Sequence, residues 1–533
     1  MSTSTIARPV FRIASALLGL CFPTLVHGAP LPVSTPGAGR VSSATYQSDG
    51  SPAAKFITFW DLSENQPDIE QGGRANTIAV NPADHDRIFV ASESGGLFKS
   101  VDRGLHWTHV DSLPAYFTQS VAYLPSSPDI LLVSTKADFK SNNGGGIWRS
   151  ADGGSTWNQA SLNIPGFSGR LSAFEISIMP GDETIFVATS EGVFVSVDRG
   201  LTWTYSDVFP SGDNKVLSVL ATRGGIYAGG PSGVRIGSGT TSLTWVSPVT
   251  IVGDVGDIHA FGRSALSSSQ AFVFNGARQL WRTEDGGAHW IPMISAPSGR
   301  LDCGGISFIK TIQRNILGIR FHDVYLSDRC DLYRLTALVN AQGTSANYFG
   351  AWQHAESDHG DTRDLALIDN QPFLLATDGG LHQTADGGSH WHLVGGGRNG
   401  GYNALQVTEV KGQYVASASA TDLYFGTQDN NLWATNIFGH PYASHPSEGF
   451  FIEAERRVES AADSQIAYRA CGPCQNWLSG RHFENAALWN NAPGAGAAST
   501  SIMRRSTFAQ GVVATESLAA GLVRAMEQWQ EAG

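Results

Sequence analysis

The 533-residue chain is 41% hydrophobic and 15% charged, holds 61 glycines and carries a formal net charge of −12. That balance predicts a globular, turn-rich protein and excludes a disordered chain or a fibre. Its acidity argues against nucleic acid or an anionic membrane as the main partner.

At the N-terminus, Arg8 and Arg12 precede the apolar run IASALLGLCFPTLV, and Val26-His27-Gly28 offers a cleavage point after Gly28. Residues 1–28 are therefore expected to be a signal peptide, and the mature protein secreted or periplasmic. The run is about 14 residues, short of the ~20 a membrane span needs. No later segment is long and apolar enough, so no membrane insertion is expected once the leader is gone. The leader holds two arginines and no acids, so its removal takes the charge from −12 to −14. Residues 29–55 are expected to be a linker.

From residue 100 onward one octapeptide recurs: SVDRGLHW, SADGGSTW, SVDRGLTW, TEDGGAHW and TADGGSHW. The pattern S/T-x-D-x-G-x-x-W places Asp102, Asp152, Asp198, Asp285 and Asp386 at successive spacings of 50, 46, 87 and 101. Two wider gaps imply worn copies, for which GTTSLTW ending at Trp245 and SDRCDLY, with Asp328 and Tyr333, are the candidates. A period of about 45 residues fits four short strands with their turns, and each copy follows two β-rich runs such as NTIAVNP and DRIFVASES. One such unit leaves a face unburied, and stacking units around a ring supplies the core. An all-β fold is predicted: a β-propeller of four-stranded blades over residues 56–490, with seven to ten blades. Units fall near 75–112, 119–161, 172–207, 215–248, 256–294, 304–336, 362–395 and 403–437, with a degraded ninth over 450–490. Within the octapeptide, aspartate accepts backbone N–H bonds, glycine supplies positive φ, and tryptophan buries a large ring, so these aspartates are read as structural.

Chemistry is sought among acids outside the repeat. HAESDHGDTRDLALID, in the wide gap before the last copy, holds His359, Asp361 and Asp364. One reading makes Asp361 and Asp364 a general acid/base pair tuned by His359, or a cation site; the other makes the stretch a solvated polar loop. Asp378 in ATDGG and Asp429 in GTQDN are further binding candidates, each also readable as a turn aspartate. Arg74, after two glycines in QGGRAN, can hold a carboxylate or sugar hydroxyl, or form a plain ion pair. Trp60, Tyr348, Phe349 and Trp352 lie outside the repeat, suited to sugar stacking or to core packing. Two disulfides are the default for Cys303, Cys330, Cys471 and Cys474 in an exported chain, most simply Cys303–Cys330 and Cys471–Cys474; a four-cysteine zinc site is the alternative. No cofactor is expected beyond a structural cation. Residues 491–533 read as a linker and a short helical tail without a closing strand, as in a truncated product.

With its five octapeptides, GGRANTIAVNPADHDRIFVASESGGLFKS, LLATDGGLHQTADGGSHW and YFGTQDNNLW, the chain resembles the Asp-box (BNR-repeat) β-propellers: sialidases, xyloglucan-processing glycoside hydrolases, sortilin-type receptors and secreted bacterial proteins. The resemblance runs from about Trp60 to His440 and implies that the Asp boxes lie on outer turns, away from the ligand face. The sialidase Phe/Tyr-Arg-Ile-Pro signature is absent; the one FRI, Phe11-Arg12-Ile13, lies in the leader. Xyloglucan hydrolases use two facing domains with an Asp from each and a T-D-I-G-G signature. TDGG at 377–380 echoes it in part, and ESGG at 93–96 more poorly. The resemblance implies a polysaccharide or glycoprotein glycan as partner, cleaved by paired carboxylates. Its alternative is a non-catalytic, sortilin-like or assembly-factor-like propeller binding an extracellular protein or a glycan.

Overall fold

The computed structural model describes residues 72–137, 145–247, 260–274, 279–293, 308–327, 332–344, 346–348, 352–355, 361–369, 371–394, 402 and 404–405, together with the backbone of strands between 407 and 481. Among these there is no helix. Seven antiparallel sheets of consecutive strands form seven blades, at 75–109, 118–159, 173–206, 218–246, 260–292, 308–347 and 364–393. Blade 7 packs directly on blade 1, with Ile368, Phe373, Leu374 and Leu381 joining Ala75, Ile78, Ile88 and Val90 in one core cluster. The ring is thus closed at seven. The further units expected at 403–437 and 450–490 come after that closure, as a four-stranded sheet beginning at Val407–Val415 and a three-stranded one ending at Asn476–Arg481.

Strand sequences follow from their place in the ring. The second strands of blades 1, 2 and 3, IFVAS (Ile88–Ser92), LLVST (Leu131–Thr135) and IFVAT (Ile185–Thr189), are buried at every residue, because both faces of a blade are covered by its neighbours. The innermost strand of each blade is a sheet edge whose outward N–H groups have no ladder partner. Neighbouring blades supply acceptors: Val121 N donates to Thr77 Oγ1 at 3.1 Å, Ile176 N to Ser120 Oγ at 3.4 Å and Ala221 N to Ser177 Oγ at 2.9 Å. Short polar side chains on the inner strands therefore stitch blade to blade.

The repeated octapeptide joins the third and fourth strands. In SADGGSTW the Ser150 hydroxyl donates to Asp152 Oδ1 at 2.7 Å and accepts from Gly154 N at 2.9 Å. Thr156 donates to Asp152 through its amide at 2.9 Å and its hydroxyl at 2.6 Å, and Trp157 Nε1 donates to Gly154 O at 3.1 Å. Asp102, Asp198, Asp285 and Asp386 each accept the matching Ser/Thr hydroxyl and the amide four residues on. The worn copy at Trp245 falls in the fourth strand of blade 4, as expected.

The worn copy assigned to Asp328 and Tyr333 is corrected. Ser327 ends the second strand of blade 6 and Tyr333 lies in the third, paired with Leu326, so that turn is on the wrong side of the blade. The equivalent turn is at 340–344, where Thr344 N donates to Asn340 Oδ1 at 2.9 Å, the bond the aspartate makes elsewhere. Blade 6 departs from the period because Phe308–Ile316 and Ile319–Ser327 run nine residues each and a fifth short strand, Gln353–Ala355, pairs with its third.

Candidate functional site

In a blade of four antiparallel strands, the turns after the third strand leave from one face of the ring. The turns after the second strand, and the segments entering each first strand, lie on the other. Arg74 enters the first strand of blade 1 (Ala75–Val80), and Arg363 that of blade 7 (Asp364–Ile368). Glu93, Lys136 and Asp378 follow the second strands of blades 1, 2 and 7. All five therefore stand on the face opposite the octapeptides.

They converge. Arg74 pairs through Nη1 with Glu93 Oε2 and through Nε with Asp378 Oδ1 at 3.2 Å. Lys136 Nζ donates to Glu93 Oε1 at 3.2 Å, and Arg363 Nε to Asp378 Oδ1 at 3.1 Å. Burial raises the Glu93 pKa, but the charges of Arg74, Lys136 and Arg363 outweigh it and hold the carboxyl below the ordinary glutamate range. An ionised Glu93 accepts hydrogen bonds and protons and donates neither, so in an acid/base pair it fills the base half. Three cations against two carboxylates leave a local excess of one positive charge, a setting that favours hydroxyl-rich or anionic ligands.

A second polar group lines the inner strands. Asp364 Oδ2 accepts from Ile78 N at 2.9 Å, and its Oδ1 from Leu365 N at 2.9 Å and Lys310 Nζ at 2.9 Å. Glu175 Oε2 accepts from Ser218 Oγ at 2.5 Å and Val219 N at 3.1 Å. Burial raises Glu175 to about 7, with Asp364 adding to the rise and the two hydrogen bonds and Lys310 opposing it.

The residues singled out from the sequence separate on this geometry. Arg74 and Asp378 meet in the face cluster. Asp364 is tied to backbone amides of blades 7 and 1 and to Lys310, so its oxygens serve the seam between blades, while Asp361 precedes it in a left-handed conformation, φ 56°. Trp352 packs with Tyr348 against the core shared by blades 5 and 6 instead of standing free on a face. His359, Asp429, Cys303, Cys330, Cys471, Cys474, Trp60 and Phe349 lie outside the described residues. Among the described residues no group of three or more His, Cys, Asp or Glu side chains is set to hold a metal ion. Sequence reasoning missed Lys136 and Arg363, and it set Glu93 aside although ESGG occupies the same turn in blade 1 that TDGG occupies in blade 7.

No known family profile matches the chain. It is similar to a xyloglucanase from Paenibacillus sp, 25% identical over 361 residues, which cover 61% of this chain and 31% of that protein. A xyloglucanase from Hypocrea jecorina is 24% identical over 247 residues, covering 42% of this chain and 25% of the relative. The chain thus spans about a third or less of the length of these curated relatives. Among solved structures, an ancestral GH74 enzyme superposes with a TM-score of 0.54 at 14% identity, over 79% of this chain and 62% of that one. The GH74 xyloglucanase from Xanthomonas campestris gives 0.51 at 14% identity, over 78% and 67%. What is shared at that identity is the propeller.

Proposed function

We propose that the chain is a secreted or periplasmic Asp-box propeller that handles extracellular glycans in the manner of a glycoside hydrolase, with a polysaccharide bound on the Arg74–Glu93–Asp378 face. The observation that carries the reading is the convergence of two carboxylates from blades 1 and 7 on one arginine, on the face free of octapeptide turns. The similarity to xyloglucanases supports a polysaccharide such as xyloglucan as ligand. Glu93, held ionised, takes the part of the base or of an acceptor for sugar hydroxyls. The acid half comes from elsewhere in the protein, as in the resembling hydrolases, where each of two facing domains gives an Asp.

The test is reducing-end release from xyloglucan and a panel of other polysaccharides, for the parent chain and for Glu93→Gln, Asp378→Asn, Asp361→Asn and Asp364→Asn. Loss of about 10²-fold or more in Glu93→Gln is expected, on the scale of removing one acid/base group. Activity that survives Glu93→Gln and falls in Asp361→Asn would move the base to Asp361. A second reading, a non-catalytic glycan or protein binder, is favoured by the salt bridges that occupy both Glu93 oxygens. It predicts polysaccharide retention on affinity gels with no reducing ends released.

A further inference from the structure

Arg74, Glu93 and Asp378 stand on three turns, and one short segment lies on the first two. Where the chain leaves the ring, Ala404 N donates to Gly72 O at 2.5 Å, and Gly72 N donates to Gly379 O at 2.7 Å, next to Asp378. A Cβ on Gly72 would run into the Tyr402 carbonyl, and one on Gly73 into the Ala404 backbone, so the turn that presents Arg74 is glycine because the exit segment lies on it. Gly95, two residues past Glu93, is pressed the same way: a Cβ there would stand 2.9 Å from Ala404 Cβ. Tyr402 is fully buried, with its ring edge-on to Phe98 at 4.9 Å and Trp107 at 6.1 Å, and its hydroxyl donates to Arg74 O at 3.0 Å.

We propose that Tyr402 is a positioning residue for the face site: the segment through Ala404 is a strap that must seat on blade 1 before Arg74, Glu93 and Asp378 can converge. The Gly72–Arg74 turn is held from two sides, by Gly379 O on one and by Ala404 N and the Tyr402 hydroxyl on the other. Arg74 is the cation common to both carboxylates, so a turn that drifts releases both pairs together. Only the link to glycans rests on the proposed function; the strap itself rests on the packing.

The experiment compares the full chain with Tyr402→Phe, Tyr402→Ala and a control, Ile368→Val, which loosens the same core cluster without touching a strap hydrogen bond or the ring packed on Tyr402. Hydrogen exchange read by mass spectrometry follows peptides covering 72–75, 93–97 and 378–380, with Ala173–Ile178 of blade 3 as reference. Phenylglyoxal modification of Arg74, mapped by peptide, reads the site directly. Tyr402→Phe keeps the ring and loses one hydrogen bond, so exchange in the three turns should rise roughly three- to tenfold and Arg74 should react faster by a similar factor. Blade 3 should be unchanged, and Ile368→Val should leave Arg74 reactivity at the parent value. If Tyr402→Ala fails to fold, Tyr402→Phe alone decides. Unchanged Arg74 reactivity in Tyr402→Phe, or an equal rise in blade 3, overturns the strap. A loosened Arg74 in a chain that binds no polysaccharide overturns the glycan reading and leaves the strap standing.

Discussion

Asp152 and Glu175 carry opposite pH signatures: hydrogen-bond donors set the first and burial the second. Hydrogen bonds from Thr156 first, then Ser150, hold Asp152 down to about 2. Stability from such a depressed carboxylate is present above its unfolded value near 4 and is lost as pH falls through the folded value. Asp102, Asp198, Asp285 and Asp386 are lowered as well, so acid weakens the bonds of all five turns in the same direction. Glu175 is raised from 4.5 to about 7, so the folded state holds the extra proton and stability falls as pH rises across that window. Glu175→Gln should remove this slope: in denaturant titrations the parent-minus-variant difference is expected to fall by about 1.4 kcal/mol per pH unit between pH 5 and 7. A flat difference would mean Glu175 titrates normally. None of this was legible at Glu175, whose environment is made by strands 43 and 135 residues away, at Ser218 and Lys310. Asp152 was legible, because every donor it uses lies within four residues.

The same divide separates the elements. Octapeptide turns announce themselves, since Ser, Asp, Gly and Trp each meet a local demand. Blade 6 does not: SDRCDLY, a partial echo of the motif, falls between the second and third strands, while the true turn is built on Asn340. Its long first hairpin ends in Leu317-Gly318, both at positive φ, with Leu317 99% exposed. A two-residue turn of that hand suits Asn-Gly, and leucine is strained there. Leu317→Asn is expected to raise stability by about 0.5–1 kcal/mol, read as a shift in the urea midpoint at constant slope. Between blades, Ser177→Ala strips the acceptor from Ala221 N–H and should cost about 1–3 kcal/mol by the same measurement.

At the scale of the molecule, the repeat was legible, while the blade count and the closure were not. Nothing in TDGG or QGGRAN says that the first and seventh units touch; Arg74 and Asp378 are 304 residues apart and meet only because the ring shuts. Asp364 binds that seam, joining Ile78 N of blade 1 to Lys310 of blade 6. Asp364→Ala should lower global stability by about 2–4 kcal/mol, and Asp364→Asn, which keeps an acceptor for Ile78, by less. Calorimetry checks both, and equal effects would assign the role to charge alone. Among the described residues, the strands of each blade are consecutive in the chain and none comes from the other end. The ring's entry and exit, Gly72 and Ala404, are instead hydrogen-bonded neighbours. A ring built in this way has no obligatory starting blade: joined across that bond and opened at another blade boundary, a circular permutant would keep the same seven sheets in the same order.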